Sequence, residues 1–205
     1  VITNITHDHL DYHTGYDAYR DSKLRIFENL KPGGVAILNA DDPGSISCLA
    51  LAPGQVTTFG IHNSADVSGT ILEQSADGTV FVLTAGAERV QVRTPLAGEH
   101  NVLNCLSAAA AALHSGISLH DIAAGIESLQ AVPGRLERID CGQAFHVFVD
   151  YAHTDDALQR AVLAAKAVTS GRVICVFGAG GDRDRTKRPL LGRAGAVADL
   201  PVVTS

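Results

Sequence analysis

Past residue 145, short apolar runs alternate with amphipathic stretches, and this alternation constrains the fold more than any other feature. Residues 145–149, 173–177 and 201–205 read as strands, and residues 155–168 and 188–198 between them read as helices. Strand–helix–strand order implies parallel neighbours joined by crossovers, hence a parallel, doubly wound α/β sheet. A glycine-rich loop, residues 178–182, follows the middle strand. Loops at the carboxyl ends of such strands are where these sheets bind ligands.

The earlier part of the chain has a mixed pattern. Residues 1–4 look like a strand end, and residues 16–30 like a helix with Tyr16, Tyr19, Ile26, Phe27 and Leu30 on one stripe. Residues 35–38 form an apolar strand leading into Asn39-Ala40-Asp41-Asp42-Pro43, a polar loop that opens a helix. From 56 to 94 strands and turns predominate, with strands at 70–73, 80–83 and 90–92 and a hairpin turn at Asp77-Gly78. Helices at 99–114 and 119–129 follow, before Pro133-Gly134 breaks the chain. The expected division is therefore a first domain over 1–132, carrying an antiparallel insertion, and a second over 133–205.

Composition narrows the function classes. Of 205 residues, 46% are hydrophobic and 19% charged, enough for a buried core and too apolar for disorder. A net charge of −6 disfavours nucleic acid as a partner. No apolar run approaches the roughly 20 residues of a membrane helix, so no membrane partner is expected. Cys48, Cys105, Cys141 and Cys175 are widely separated, which suits free thiols in a reducing cytoplasm. The start on Val1-Ile2 and the strand-like finish suggest a segment of a longer protein.

Three clusters carry chemistry. His7, His9, Asp11 and His13 lie in seven residues, either as a solvated loop or as metal ligands. The pattern approaches the H-x-H-x-D-H zinc motif of metallo-hydrolases, but Tyr12 separates the aspartate from the last histidine. Lys23 falls on the apolar stripe of its helix. Its amine either snorkels to water or is partly desolvated, and a desolvated, neutral amine can take up carbon dioxide as an anionic carbamate. The loop after residue 177 lacks the third glycine of a dinucleotide fingerprint, because Arg183 stands there. With Arg185, Lys187 and Arg188, it is suited to carboxylate or phosphate.

Together these segments resemble the Mur ligase family, in particular its UDP-N-acetylmuramoyl-tripeptide synthetases. Thr3-Asn4-Ile5-Thr6-His7-Asp8-His9-Leu10-Asp11-Tyr12-His13 is similar to the family's T-N-L-x-x-D-H-L-D-Y-H, and Tyr19-Arg20-Asp21-Ser22-Lys23 to Y-x-x-A-K. Asn39-Ala40-Asp41-Asp42 matches N-A-D-D, and Gly98-Glu99-His100-Asn101-Val102-Leu103-Asn104 matches G-x-x-N-x-x-N. Pro133-Gly134-Arg135 matches P-G-R, Val149-Asp150-Tyr151-Ala152-His153-Thr154 matches V-D-Y-A-H-T, and residues 177–189 match F-G-x-G-G-D-R-D-x-x-K-R-P. Three departures stand out: Asp155 where the family has proline, Leu191 for methionine, and a segment from 192 to 199 that is one residue shorter.

The resemblance implies the latter part of a P-loop-type central domain, followed by the first half of the Rossmann-like third domain. The P-loop and substrate-binding domain would precede these residues, so residues 1–205 alone would be inactive. The implied reaction is ATP-dependent amide formation with Mg²⁺. It adds meso-diaminopimelate or L-lysine to UDP-N-acetylmuramoyl-L-alanyl-D-glutamate through an acyl phosphate, in a cytoplasmic monomer. His9 and carbamylated Lys23 would serve the metal and catalysis, while Asn101, Asn104, Arg135, Asp150 and His153 would hold the nucleotide. Arg183 and Lys187 would bind the incoming amino acid, and Asp41 and Asp42 would cap a helix. A non-catalytic Mur-like binding subunit, a sister ligase, and a metallo-hydrolase built on the histidine cluster are the alternatives.

Overall fold

Val35–Asn39 forms β1, the first strand of a five-stranded sheet whose strands neighbour one another in chain order. The structure is a computed structural model and describes residues 1–5, 15–179 and 187–204. β2 (Gln55–Gly60) runs parallel to β1, from Val35 opposite Gln55 to Asn39 opposite Phe59. β3 (Val67–Ser75) joins β2 in parallel at Phe59 and Gly60, and Ile2 makes one parallel bridge to Leu38. β4 (Gly78–Ala85) and β5 (Glu88–Thr94) follow through two-residue links, Ala76-Asp77 and Gly86-Ala87. Links that short only reverse the chain, so this half of the sheet is antiparallel.

The chain divides into two compact units. The first comprises Val1–Leu72, Val80–Arg93 and Asn101–Ser128, and the second Glu73–Thr79, Thr94–His100 and Leu129–Ser205. In the first unit, Leu38, Phe59, Phe81, Leu83, Val92, Val102 and Leu106 are fully buried. Each such side chain contributes about 1.5–3 kcal/mol of burial. α3 (Glu99–His114) buries Val102, Cys105, Leu106, Ala109 and Ala110, the three- and four-residue spacing of one helical face. A Cβ on Gly69 of β3 would lie 3.1 Å from the Leu106 side chain, so bare backbone lets helix and strand approach closely. α4 (Leu119–Ser128) adds Leu119, Ile122 and Ala123.

α1 (Tyr16–Leu24) is shorter than its sequence pattern suggests, because the chain tightens into a 3₁₀ turn at Arg25–Asn29. A stripe drawn at 3.6 residues per turn breaks there. Tyr19 is buried, whereas Ile26 is half exposed.

In the second unit, β8 (Ile174–Gly178) pairs parallel with β9 (Leu200–Thr204), from Ile174 opposite Leu200 to Gly178 opposite Thr204. α5 (Asp155–Ala167) and α6 (Lys187–Gly195) pack with them around Leu158, Val162, Val173, Leu191, Ala194 and Ala198, with Phe177 at the margin. Thr154 caps α5 by accepting from the Ala157 N–H, and Asp155 and Asp156 sit where the helix dipole favours negative charge. The departure from proline at 155 therefore leaves a well-made helix start.

One expectation is corrected. β7 (Val147–Val149) pairs antiparallel with β6 (Glu137–Ile139), a strand the sequence pattern does not reveal, and not with β8. The link between them closes on itself. Gln143 donates to Ile139 O and accepts from the Cys141 N–H, and the Gly142 N–H donates to Asp140. That hairpin takes residues 147–149 out of the parallel run, which among the described residues consists of β8 and β9.

Candidate functional site

The Asn39-Ala40-Asp41-Asp42 string sits at the carboxyl ends of parallel strands and ties them together. Asn39 donates its side-chain amide to Thr3 O at 2.8 Å and accepts the Asp41 N–H at 2.9 Å. Asp42 caps α2 (Pro43–Ile46) by accepting from Ser45 N and also accepts from Ile5 N at 3.0 Å. Asp41 caps nothing. Its carboxylate accepts the N–H groups of Ile61, His62 and Asn63 and the Asn63 side-chain amide, which pins the loop after β2. Burial alone would push the Asp41 carboxyl up, but these hydrogen bonds outweigh it and hold it below the usual carboxylate value.

Lys23 lies in the last turn of α1, exposed, with its amine 5.2 Å from the centre of the Tyr19 ring. That is the snorkelling arrangement, with the stem on apolar surface and the charge in water. Of the two readings the sequence leaves open, the described residues around Lys23 match the snorkelling one. His7, His9, Asp11, His13 and Arg183 lie outside the described residues, and of Lys187 only its place at the start of α6 is described. Among the described residues no three His, Cys, Asp or Glu side chains gather as a metal site.

Asn101 is buried in the first turn of α3, and the exposed Asn104 one turn on donates to it at 3.4 Å. Arg135, Asp150 and His153 are brought together by the second unit. The Arg135 guanidinium lies 5.7 Å from the centre of the Tyr151 ring, and His153 meets the same ring edge-on at 5.2 Å. His153 Nδ1 is also 3.0 Å from Tyr151 O. Tyr151 is 68% exposed and offers an open aromatic face between a cation and an imidazole, an arrangement suited to a planar or anionic group. The sequence reading passed over Tyr151, although it stands inside the V-D-Y-A-H-T string.

His100 is the other residue not singled out. Burial holds its imidazole below the ordinary histidine value, with Asp150 opposing that effect and Arg160 and Arg135 reinforcing it. It is therefore a neutral ring near neutral pH.

Residues 1–112 match the family model of the Mur ligase middle domain, and residues 134–205 that of the Mur ligase glutamate ligase domain. The chain belongs to the Mur ligase family. Among Mur ligases, it is 42% identical to the UDP-N-acetylmuramoyl-L-alanyl-D-glutamate--2,6-diaminopimelate ligase of Bacillus licheniformis, over all of this chain and 43% of that protein. A solved structure of a ligase of the same name is similar with a TM-score of 0.67 at 35% identity, covering 99% of this chain and 42% of that one. MurF from Acinetobacter baumannii is similar with a TM-score of 0.81 at 31% identity, covering 98% and 45%. The chain thus spans less than half the length of the Mur ligases it matches. No described helix is long and apolar enough to cross a membrane.

Proposed function

We propose that this chain is part of an ATP-dependent amide ligase that joins 2,6-diaminopimelate to UDP-N-acetylmuramoyl-L-alanyl-D-glutamate. The observation that carries this reading is 42% identity along every residue of the chain to a protein of that name. L-Lysine is the alternative amine. The D-glutamate carboxylate attacks the γ-phosphate of ATP, ADP leaves, and the amine displaces phosphate from the acyl phosphate. Catalysis of this kind is chiefly positioning and charge neutralisation.

In this reading Arg135 and Asp150 hold nucleotide phosphate and ribose, His153 and Tyr151 stand beside them, and the family resemblance assigns Asn101 and Asn104 to the adenine. Arg183 and Lys187 hold the carboxylate of the incoming amino acid, as guanidinium forks do. The family resemblance assigns Mg²⁺ to His9 and a Lys23 carbamate. His9 lies outside the described residues and Lys23 is a solvent-facing amine, so the described residues do not by themselves form that site. The functional boundary is placed at 132/133, inside the interval between the two family-model matches. The enzyme is expected to be a cytoplasmic monomer.

The test is product formation by the full-length protein, given the UDP-linked dipeptide, ATP and Mg²⁺ with either meso-diaminopimelate or L-lysine. The expected outcome is amide product with equimolar ADP and phosphate, faster with diaminopimelate. Faster turnover with lysine would reassign the amine, and no product with either would overturn the reading.

A further inference from the structure

The turn that opens α3 leaves no room for a side chain at its glycine. Gly98, directly before Glu99, has φ 91°, a left-handed conformation that glycine adopts freely. A Cβ there would lie 2.8 Å from Cε1 and 3.0 Å from Nδ1 of His100, and 3.1 Å from the Ala164 methyl of α5. The imidazole and the methyl group therefore fill the place where a side chain at 98 would stand.

The segment leading into this turn is held from its other end. Thr94, Leu96 and Ala97 are buried. The Leu96 N–H donates to Thr94 Oγ1 at 3.3 Å, and Leu96 O accepts from the Thr79 hydroxyl at 3.1 Å. Thr94–His100 belongs with Glu73–Thr79 and Leu129–Ser205 to the second compact unit, so these contacts all lie within it. Burial keeps the His100 ring neutral against the pull of Asp150 and Glu99, with Arg160 and Arg135 also opposing a proton. A neutral imidazole in such a place acts through its flat shape. Asn101 is the next residue, 2% exposed in the first turn of α3, and one peptide bond separates it from that ring.

We infer that His100 is a positioning residue: its ring wedges the start of α3 against Ala164 of α5 and so fixes the direction in which Asn101 is presented. The use made of Asn101 rests on the nucleotide reading above, while the wedge itself rests on the packing at Gly98.

The test is steady-state kinetics and unfolding midpoints of the full-length ligase at slightly alkaline pH. The variants are His100→Ala, His100→Phe, Gly98→Ala, and Gly98→Ala with His100→Ala. Removing the ring in His100→Ala should raise KM for ATP about tenfold, the loss of one hydrogen bond. The fall in kcat should be smaller, and KM for the UDP-linked dipeptide should barely move. Phenylalanine supplies a flat ring without nitrogens and should recover most of the loss. Gly98→Ala should displace the ring and raise KM for ATP likewise, yet add little once the ring is gone. A His100→Phe variant as poor as His100→Ala, at an unchanged unfolding midpoint, would mean that the ring acts through its nitrogens and would overturn the inference. Gly98→Ala and His100→Ala effects that multiply would overturn it too, as would an unchanged KM for ATP in folded His100→Ala when Asn101→Ala raises it. If Asn101→Ala itself leaves KM for ATP unchanged, the nucleotide reading fails instead. The wedge is then judged by the nuclear Overhauser effect between the His100 ring and the Ala164 methyl group, whose presence supports it and whose absence overturns it.

Discussion

Asp41 accepts four hydrogen bonds from the loop after β2, and its lowered pKa makes that loop sensitive to acid. A carboxylate whose folded value lies below its unfolded one stabilises the fold above the ordinary aspartate range, and that stability is lost as pH falls through the folded value. Asp41→Asn should therefore lower stability at neutral pH and flatten its decline below about pH 4, near the ordinary carboxylate value. Chemical unfolding at a series of pH values measures both, and a decline as steep as in the unchanged protein would show that Asp41 contributes nothing. The sequence suggested that Asp41 and Asp42 cap a helix, which is right for Asp42 alone. Asp41 reaches residues twenty positions on, a partner that local capping rules do not reveal. Lys23 has a related history. Its stripe position is legible at helical spacing, but its exposure is not.

At the scale of elements, α3 was legible to the residue, since an unbroken apolar face from Glu99 to His114 admits little else. The Asp77-Gly78 reversal was likewise local chemistry. β2 and β6 were not legible. Gln55–Gly60 holds the strand-favouring Val56, Thr57, Thr58 and Phe59 but no strict apolar–polar alternation, and Glu137–Ile139 has only one apolar side chain, so the pattern alone delimits neither strand. The antiparallel pairing of β7 is likewise a tertiary outcome, fixed by the loop that closes the hairpin. Packing within an element gives a direct prediction at Gly195, the last residue of α6. A Cβ there would lie 2.2 Å from the Phe177 ring of β8. Gly195→Ala should cost about 1–3 kcal/mol through overpacking, despite alanine's better helix propensity. Thermal unfolding checks the loss, and Phe177→Leu in the same background should recover part of it. An unchanged or raised Tm would mean that α6 shifts off β8 without penalty.

For the whole molecule, the order of seven strings along the chain revealed the family, and the family-model matches over 1–112 and 134–205 agree with it. What the strings could not supply is which of their residues face a ligand and which hold the backbone. Asp150 stands in a family motif, and each of its oxygens accepts a main-chain N–H, a tie to the backbone that the string alone does not reveal. The central claim is that the full-length protein activates a carboxylate by phosphorylation. It is tested most directly by supplying UDP-N-acetylmuramoyl-L-alanyl-D-glutamate with ¹⁸O in the reacting carboxylate and following the label by mass spectrometry. Formation of an acyl phosphate predicts one ¹⁸O in each phosphate released alongside amide product. Unlabelled phosphate accompanying product would contradict the account.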